Sequence, residues 1–311
     1  MTNAAYTTST LTLTFNGCGQ TYVMEKSAPP FVDGTAGTSA GGTFTSNAVA
    51  NTTTWTGNFP TDALTYYRVR SSAATTAETV NQFAIMKITS SSANTLVALP
   101  WKSLSANVAN PAAITAANVV MNNNLVNGDW LLYYDGGYKG WCLTNGAWVP
   151  TATVGDATVG GVTVAEAPAN AELARGQAIW LVRTTANNRD LSQPFYLYGQ
   201  YQAELGSTSV SAGGSLLASP NMGAAFTISS STVAGVDGDV IEVPASTPNA
   251  MPIRYENRKG TWGHVVETTT TIGGRPVTTQ TWTTDEGMTV PAGQGFRYVT
   301  GSGSGTRSVQ W

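Results

Sequence analysis

Short runs of alternating apolar and polar residues recur along the chain. In TLTLTF (10–15), Leu11, Leu13 and Phe15 fall on one side and Thr10, Thr12 and Thr14 on the other, the period-2 pattern of a half-buried strand. ALTYYRVR (63–70), QFAIMKI (82–88), DWLLYY (129–134), AIWLVR (178–183), PFYLYGQY (194–201), DVIEV (239–243) and GFRYV (295–299) read the same way, separated by clusters of Gly, Asn, Asp and Pro. Two segments carry a helical signal instead. NPAAITAANVV (110–120) offers Asn110 as an N-cap and Pro111 at the first helical position, and APANAELA (167–174) offers a short turn. The pattern predicts an all-β protein with at most one or two short helices.

The strands also repeat as a group. TLVALPW (95–101) matches SLLASPN (215–221), NGDWLLYY (127–134) matches DGDVIEVP (237–244), and NGAWV (145–149) matches KGTWG (259–263). Last, LARGQAIWLVR (173–183) matches VPAGQGFRYVT (290–300). Four matches in one order predict a tandem repeat of two related β-sandwich or β-barrel-like domains, over residues 81–193 and 194–311. Residues 1–80 align with neither copy and form an N-terminal β-rich segment, with TAGTSAGGTFTSN (35–47) read as loop or linker. That segment is expected to be a small domain, a strand completing the first copy, or an assembly arm.

The shared elements have a physical reading. NGD and DGD are tight-turn sequences leading into buried strands. The Gly146/Trp148 and Gly260/Trp262 pairs suggest an aromatic ring packed over a glycine on a neighbouring strand. In the Gly-Gln element, Gly176 and Gly293 are expected to turn the chain, and Gln177 and Gln294 to satisfy backbone groups there with their amides.

Composition reinforces the all-β reading. Of 311 residues, 41% are hydrophobic but only 11% are charged, against about 25% in an ordinary globular domain. Thr, Ser, Ala, Asn and Gly take the place of the straight-chain helix formers. A net charge of -3 without a run of Lys and Arg gives no footprint for a phosphate backbone, so nucleic-acid binding is not expected. No stretch reaches the about 18 apolar residues of a membrane span. Residues 1–20 lack the basic start and apolar core of a secretory signal. The low charge points to an extracellular or cell-surface protein whose signal was removed, with a virion part as the alternative.

Candidate chemistry is sparse. Cys18 and Cys142 either form one disulfide, worth about 4–5 kcal/mol by chain entropy across so long a loop, or remain two buried thiols. GTSAG (37–41) matches G-x-S-x-G with Ser39 as nucleophile, and Asp237 or Asp239 and His264 follow in hydrolase order. The motif needs a strand before the serine and a helix after it, and DGTA and GGTFTSNAV supply neither. Asn127, Asp129, Asp237 and Asp239 are oxygen donors but lack the spacing of a calcium loop, and read as turn residues. The sequon at Asn51 carries little weight in an Asn/Thr-rich chain. No cofactor or metal site is expected. Trp130, Trp141, Trp148 and Trp180 concentrate in the first copy, mostly as core, with Trp180 the candidate for an exposed, ligand-facing aromatic.

These readings lead to a non-enzymatic structural protein, a homo-oligomeric or polymeric subunit of a fibre, layer or appendage joined by strand pairing. TLTLTF, with Leu11, Leu13 and Phe15, is the expected donor strand. The alternatives are an adhesin or carbohydrate-binding module using Trp180, and a tail-fibre or capsid-decorating protein.

Overall fold

A computed structural model describes residues 3–32, 35–72, 82–98, 101, 120–121, 124–134, 137–150, 157–159, 162–166, 176–201, 207–210, 215–218, 225–244, 252–301 and 307–310. Within them the chain is all-β, built of several open sheets, with a single 3-10 turn at Ala186–Asn188. All eight alternating runs form strands. Residues 110–119 and 167–174, the two helical candidates, lie outside the described residues; Val120 opens a two-residue strand, Val120–Met121.

The first sheet has the order Asn3–Tyr6, Thr10–Asn16, Thr52–Asn58, Thr43–Asn47. The second runs Val120–Met121, Phe195–Gln200, Phe83–Ile88, Leu64–Ser71, Tyr22–Ser27, Thr38–Ser39. Two stretches of the Gly/Thr/Ser-rich segment expected as loop, at Thr38–Ser39 and Thr43–Asn47, are therefore strands: β-branched Thr tolerates the extended backbone, and the edges of both sheets accept them.

Burial explains the strand patterns. Leu11, Leu13, Phe15 and Trp55 of the first sheet close on Met24, Tyr67, Phe83, Ile85 and Tyr198 of the second. From the other face of the second sheet, Tyr66, Ala84, Met86, Phe195 and Leu197 pack against the third. Being covered on both faces, the second sheet reads as near-continuous apolar runs such as FAIM, whereas the first keeps strict alternation. The second sheet also buries an ionic group. Arg68, fully buried, donates to Glu25 Oε2 at 2.6 Å and to the Thr35 carbonyl at 2.7 Å, and Arg70 Nε donates to Glu25 Oε1 at 2.6 Å. Burial alone would raise the Glu25 pKa; the hydrogen bonds and charges of Arg70 and Arg68 outweigh it and hold the carboxyl below its ordinary value.

Phe83–Ile88 and Phe195–Gln200 pair antiparallel, Phe195 opposite Ile88. The first strands after the boundaries expected at 80/81 and 193/194 are thus neighbours in one sheet.

The third sheet contains Asn94–Ala98, Ala178–Val182, Trp130–Tyr134 and Tyr138–Thr144 in that order, with Ala147–Pro150 paired to Tyr138–Thr144. A hairpin, Ala157–Val159 and Val162–Glu166, continues it. The fourth sheet has the order Ser215–Ala218, Gly295–Val299, Val240–Val243, Ile253–Arg258, Thr261–Ile272, Arg275–Thr284. Its core gathers Ile241, Val243, Trp262, Phe296 and Tyr298 with Phe226, Ile228, Met288 and Val290 of a separate strand pair, Phe226–Ile228 and Met288–Val290.

Taken in chain order, the strands of the third and fourth sheets connect alike: the first pairs with the last, the last with the second, the second with the third, the third with the fourth. Registers match as well. Ala178 faces Ala98 and Gly295 faces Ala218; Leu131 faces Leu181 and Trp141, while Ile241 faces Tyr298 and Tyr255. These equivalences are the ones the four sequence matches require.

Candidate functional site

Positions shared by the two sheets are occupied by residues that hold turns. Asp129 and Asp239 are both fully buried. Asp129 Oδ2 accepts from the Val126 amide at 3.0 Å and Oδ1 from the Thr184 amide at 2.9 Å, while Arg189 reaches both oxygens at 2.6 and 2.9 Å. Asp239 Oδ2 accepts from the Val236 amide at 2.9 Å and the Tyr298 hydroxyl at 2.7 Å, and Oδ1 from the Gly301 amide at 2.7 Å. Both carboxylates are thus spent on the protein's own donors. Asn145 and Gly146, like Lys259 and Gly260, have positive φ and form matching two-residue hairpin turns.

The glycines of the G-x-W pairs therefore turn the chain, with nothing near a Cβ built on either, instead of lying beneath the rings. The glycine that Trp262 does cover is Gly235, and the Trp262 indole N–H donates to the Val233 carbonyl at 3.0 Å.

Gly176 and Gly293 have φ of 90° and 74°. Gln294 Nε2 donates to the Pro244 carbonyl at 3.0 Å. Gln177 stands beside Gly176 at the same place in the third sheet. The second element also joins the two halves of the chain: the Ala98 amide donates to the Gly293 carbonyl at 3.0 Å, and Gly293 lies against Met86 and Ile88, leaving no room for a Cβ.

Several sequence candidates are placed apart. Leu11, Leu13 and Phe15 are buried in the chain's own core, and their strand is hydrogen-bonded on both edges, to Asn3–Tyr6 and Thr52–Asn58. That corrects the donor-strand expectation: a strand with both ladders filled has no edge to give. Cys18 and Cys142 are free thiols, the first donating to Asn51 Oδ1 at 3.3 Å and the second on Tyr138–Thr144 of the third sheet. No disulfide joins them: Cys18 follows Thr10–Asn16 of the first sheet, and the second sheet stands between that sheet and the third. Ser39 lies on the edge of the second sheet and His264 in the fourth, whose neighbouring carboxylate is Asp285 at 3.5 Å, not Asp237 or Asp239.

Two regions stand out where the sheets differ. On the outer face of the third sheet, Trp130, Tyr134, Tyr138 and Trp180 are all half-buried, packed with Leu96, Leu132, Val159 and Val164. Trp180, expected to be exposed, is thus part of an aromatic cluster. At the equivalent register of the fourth sheet, where Leu132–Trp180 would sit, Glu242 faces Arg297 and forms an ion pair at 3.1 Å.

The second region is a ribbon. From Gly263 on, Thr261–Ile272 pairs with the whole of Arg275–Thr284 through a Gly273–Gly274 turn, both glycines at positive φ. The neighbouring Ile253–Arg258 pairs with this ribbon only as far as Gly263. Every residue from 265 to 281 is exposed. Of the ten large hydrophobic residues exposed among those described, four (Val265, Val266, Ile272 and Val277) are on the ribbon. At its base the Tyr255 hydroxyl donates to Asp285 Oδ2 at 3.0 Å and its ring meets His264 edge-on. Burial first, then that hydrogen bond and the Asp285 charge, push the Tyr255 pKa up to about 12. Glu286 ties the base down, accepting from the Ser230 amide at 2.6 Å and the Trp262 amide at 2.8 Å.

The ribbon leaves no mark in the hydrophobic pattern, since neither face is buried. Its signal was the Gly-Gly pair between two Thr- and Val-rich stretches. Among the described residues no three His, Cys, Asp or Glu side chains group as metal ligands, and no helix is long and apolar enough to cross a membrane. No protein-family model matches the chain, and comparisons with curated proteins and with solved structures find no match.

Proposed function

We propose that this chain is a non-enzymatic, extracellular or surface-exposed structural protein, a self-assembling subunit of a fibre, surface layer or appendage, whose third and fourth sheets descend from one duplicated β-domain. The duplication is supported by the common strand order, the common register, and the buried aspartates at equivalent turns. Assembly through strand pairing is supported by one observation above all: beyond Gly263 the ribbon's outer backbone edges have no ladder partner among the described residues, and residues 265–281 are exposed. A free edge with so little charge is a template for another strand. Electron microscopy of the full chain tests the reading. Regular filaments, sheets or closed oligomers are expected, and a field of isolated monomers at every concentration contradicts it.

A second reading, a carbohydrate-binding adhesin, is favoured by the half-exposed rings of Trp130, Tyr134, Tyr138 and Trp180, since such rings stack on sugar faces. A glycan array comparing the native chain with Trp180→Ala decides it: binding that is lost in the variant supports the reading, and a native chain without signal sinks it.

A further inference from the structure

The ribbon has two edges, and they are not equivalent. In an antiparallel pair, successive residues point their N–H and C=O alternately toward the partner strand and away from it. The two-residue turn makes Ile272 and Arg275 the first bonded pair, so the even-numbered residues of 264–272 point inward; Thr279 Oγ1 accordingly reaches the inward carbonyl of Thr268 at 3.2 Å. Val265, Glu267, Thr269 and Thr271 therefore direct their backbone groups outward, with no ladder partner among the described residues. On the other strand the outward positions are Pro276, Thr278, Gln280, Trp282 and Thr284. Pro276 has no N–H to offer, so that edge is blunted near the tip, as edge prolines do elsewhere. The 265–271 edge carries no proline, and its one charge, Glu267, is engaged by Gln280 Nε2 at 2.6 Å.

We propose that the 265–271 edge is a homotypic docking strand, pairing antiparallel with the same edge of a second copy about a two-fold axis at Thr268. This rests on the self-assembly reading and names its contact. Three features commit the partner to a second copy. The edge is complementary to itself: a two-fold at Thr268 sets Val265 opposite Thr271 and Glu267 opposite Thr269, so outward groups meet outward groups. All eight outward donors and acceptors of that edge then find partners, forming about eight backbone hydrogen bonds. In the register one residue lower, Glu267 would face its own copy, a like-charge pair that disfavours it. A two-stranded ribbon with neither face buried is also marginal in water, and pairing turns two of them into a four-stranded sheet. Each chain contributes only a seven-residue strand, less surface than a standard stable interface, so the contact is expected to be weak and concentration-dependent.

The test uses the full chain carrying Cys18→Ser and Cys142→Ser, with one new cysteine placed on the ribbon. With a two-fold at Thr268, the two Thr268 Cα atoms lie about 4.5 Å apart, within reach of a disulfide. The two Thr279 Cα atoms, three strand spacings apart, lie about 14 Å from each other and are out of reach. Thr268→Cys is expected to form an intermolecular disulfide under mild oxidation at least about tenfold faster than Thr279→Cys. Thr269→Pro, which removes one outward N–H while leaving the ribbon's own ladder intact, is expected to weaken association by about tenfold or more in sedimentation. If the protein assembles but the two cysteine variants cross-link equally, the docking strand is wrong while the self-assembly reading survives. A chain that stays monomeric at every concentration overturns both. The cross-linking readout stands whether or not Thr269→Pro folds.

Discussion

The third and fourth sheets share strand order and register yet present different outer faces. In the third sheet, Leu132 and Trp180 meet in an apolar cluster roofed by Val159 and Val164. In the fourth, Glu242 and Arg297 occupy the same register in solvent, and the strand after the hairpin turn, only Ala147–Pro150 in the third sheet, runs on to Ile272 as half of the ribbon. The inward positions, Leu131 with Ile241 and Leu181 with Tyr298, are buried in both. Packing thus constrains one face of each sheet, while the other is free to take on separate tasks: a covered aromatic surface in one and a projecting edge in the other.

The comparison breaks most severely at the aspartates. Asp129→Ala leaves the nearly buried Arg189 without its carboxylate and is expected to cost about 3–5 kcal/mol in denaturant unfolding. Asp239→Ala strands only neutral donors, the Tyr298 hydroxyl and two amides, and is expected to cost less, about 2–3 kcal/mol. Equal losses would mean that the two turns are not held in the different ways described. Next in size is the exchange of faces. Leu132→Glu is expected to cost about 3 kcal/mol by placing a carboxylate in the aromatic cluster. Adding Trp180→Arg is expected to return about 1 kcal/mol of that, because it recreates the Glu242–Arg297 pairing, and a double-mutant cycle measures the coupling.

A smaller effect separates the sheets by pH. Tyr255 stands where the third sheet has Trp141, and only the tyrosine titrates. Its folded pKa, about 12, lies above the ordinary value of 10, so its contribution to stability is full below pH 10 and is lost as the pH rises toward 12. Burial also raises the pKa of Tyr66, Tyr67 and Tyr198 in the second sheet, so global unfolding in alkali is shared among them. Amide exchange along Ile253–Arg258 isolates the local part: it is expected to quicken between pH 10 and 12 in the native chain, and to lose that excess in Tyr255→Phe. The smallest effect concerns the ribbon itself. Deleting 265–272 and 275–282 retains His264, the Gly273–Gly274 turn and Thr283, and it removes residues that are exposed apart from the half-buried Trp282 at the ribbon base. Monomer stability is expected to change by less than about 1 kcal/mol.

Much of this was legible in the sequence because burial writes a pattern. Eight alternating runs gave eight strands, and TLVALPW and SLLASPN lie on strands with corresponding partners, Ala98 opposite Ala178 and Ala218 opposite Gly295. What escaped had no buried face to reveal it. The ribbon is solvent-exposed on both sides, so its Thr-rich strands carry no apolar alternation. TLTLTF had the alternation of a half-buried strand, yet alternation does not say whether the neighbouring strands come from the same chain; here both do. Trp180 looked exposed because an Arg takes its place in the fourth sheet, and the cluster around it involves Tyr134, Tyr138 and a hairpin that only the tertiary fold brings near.

Sedimentation velocity of the native chain beside the ribbon-shortened chain tests the central claim most directly. The account predicts concentration-dependent species larger than the monomer for the native chain and a monomer at all concentrations for the shortened one, with both bodies equally folded. Identical sedimentation of the two proteins would contradict it.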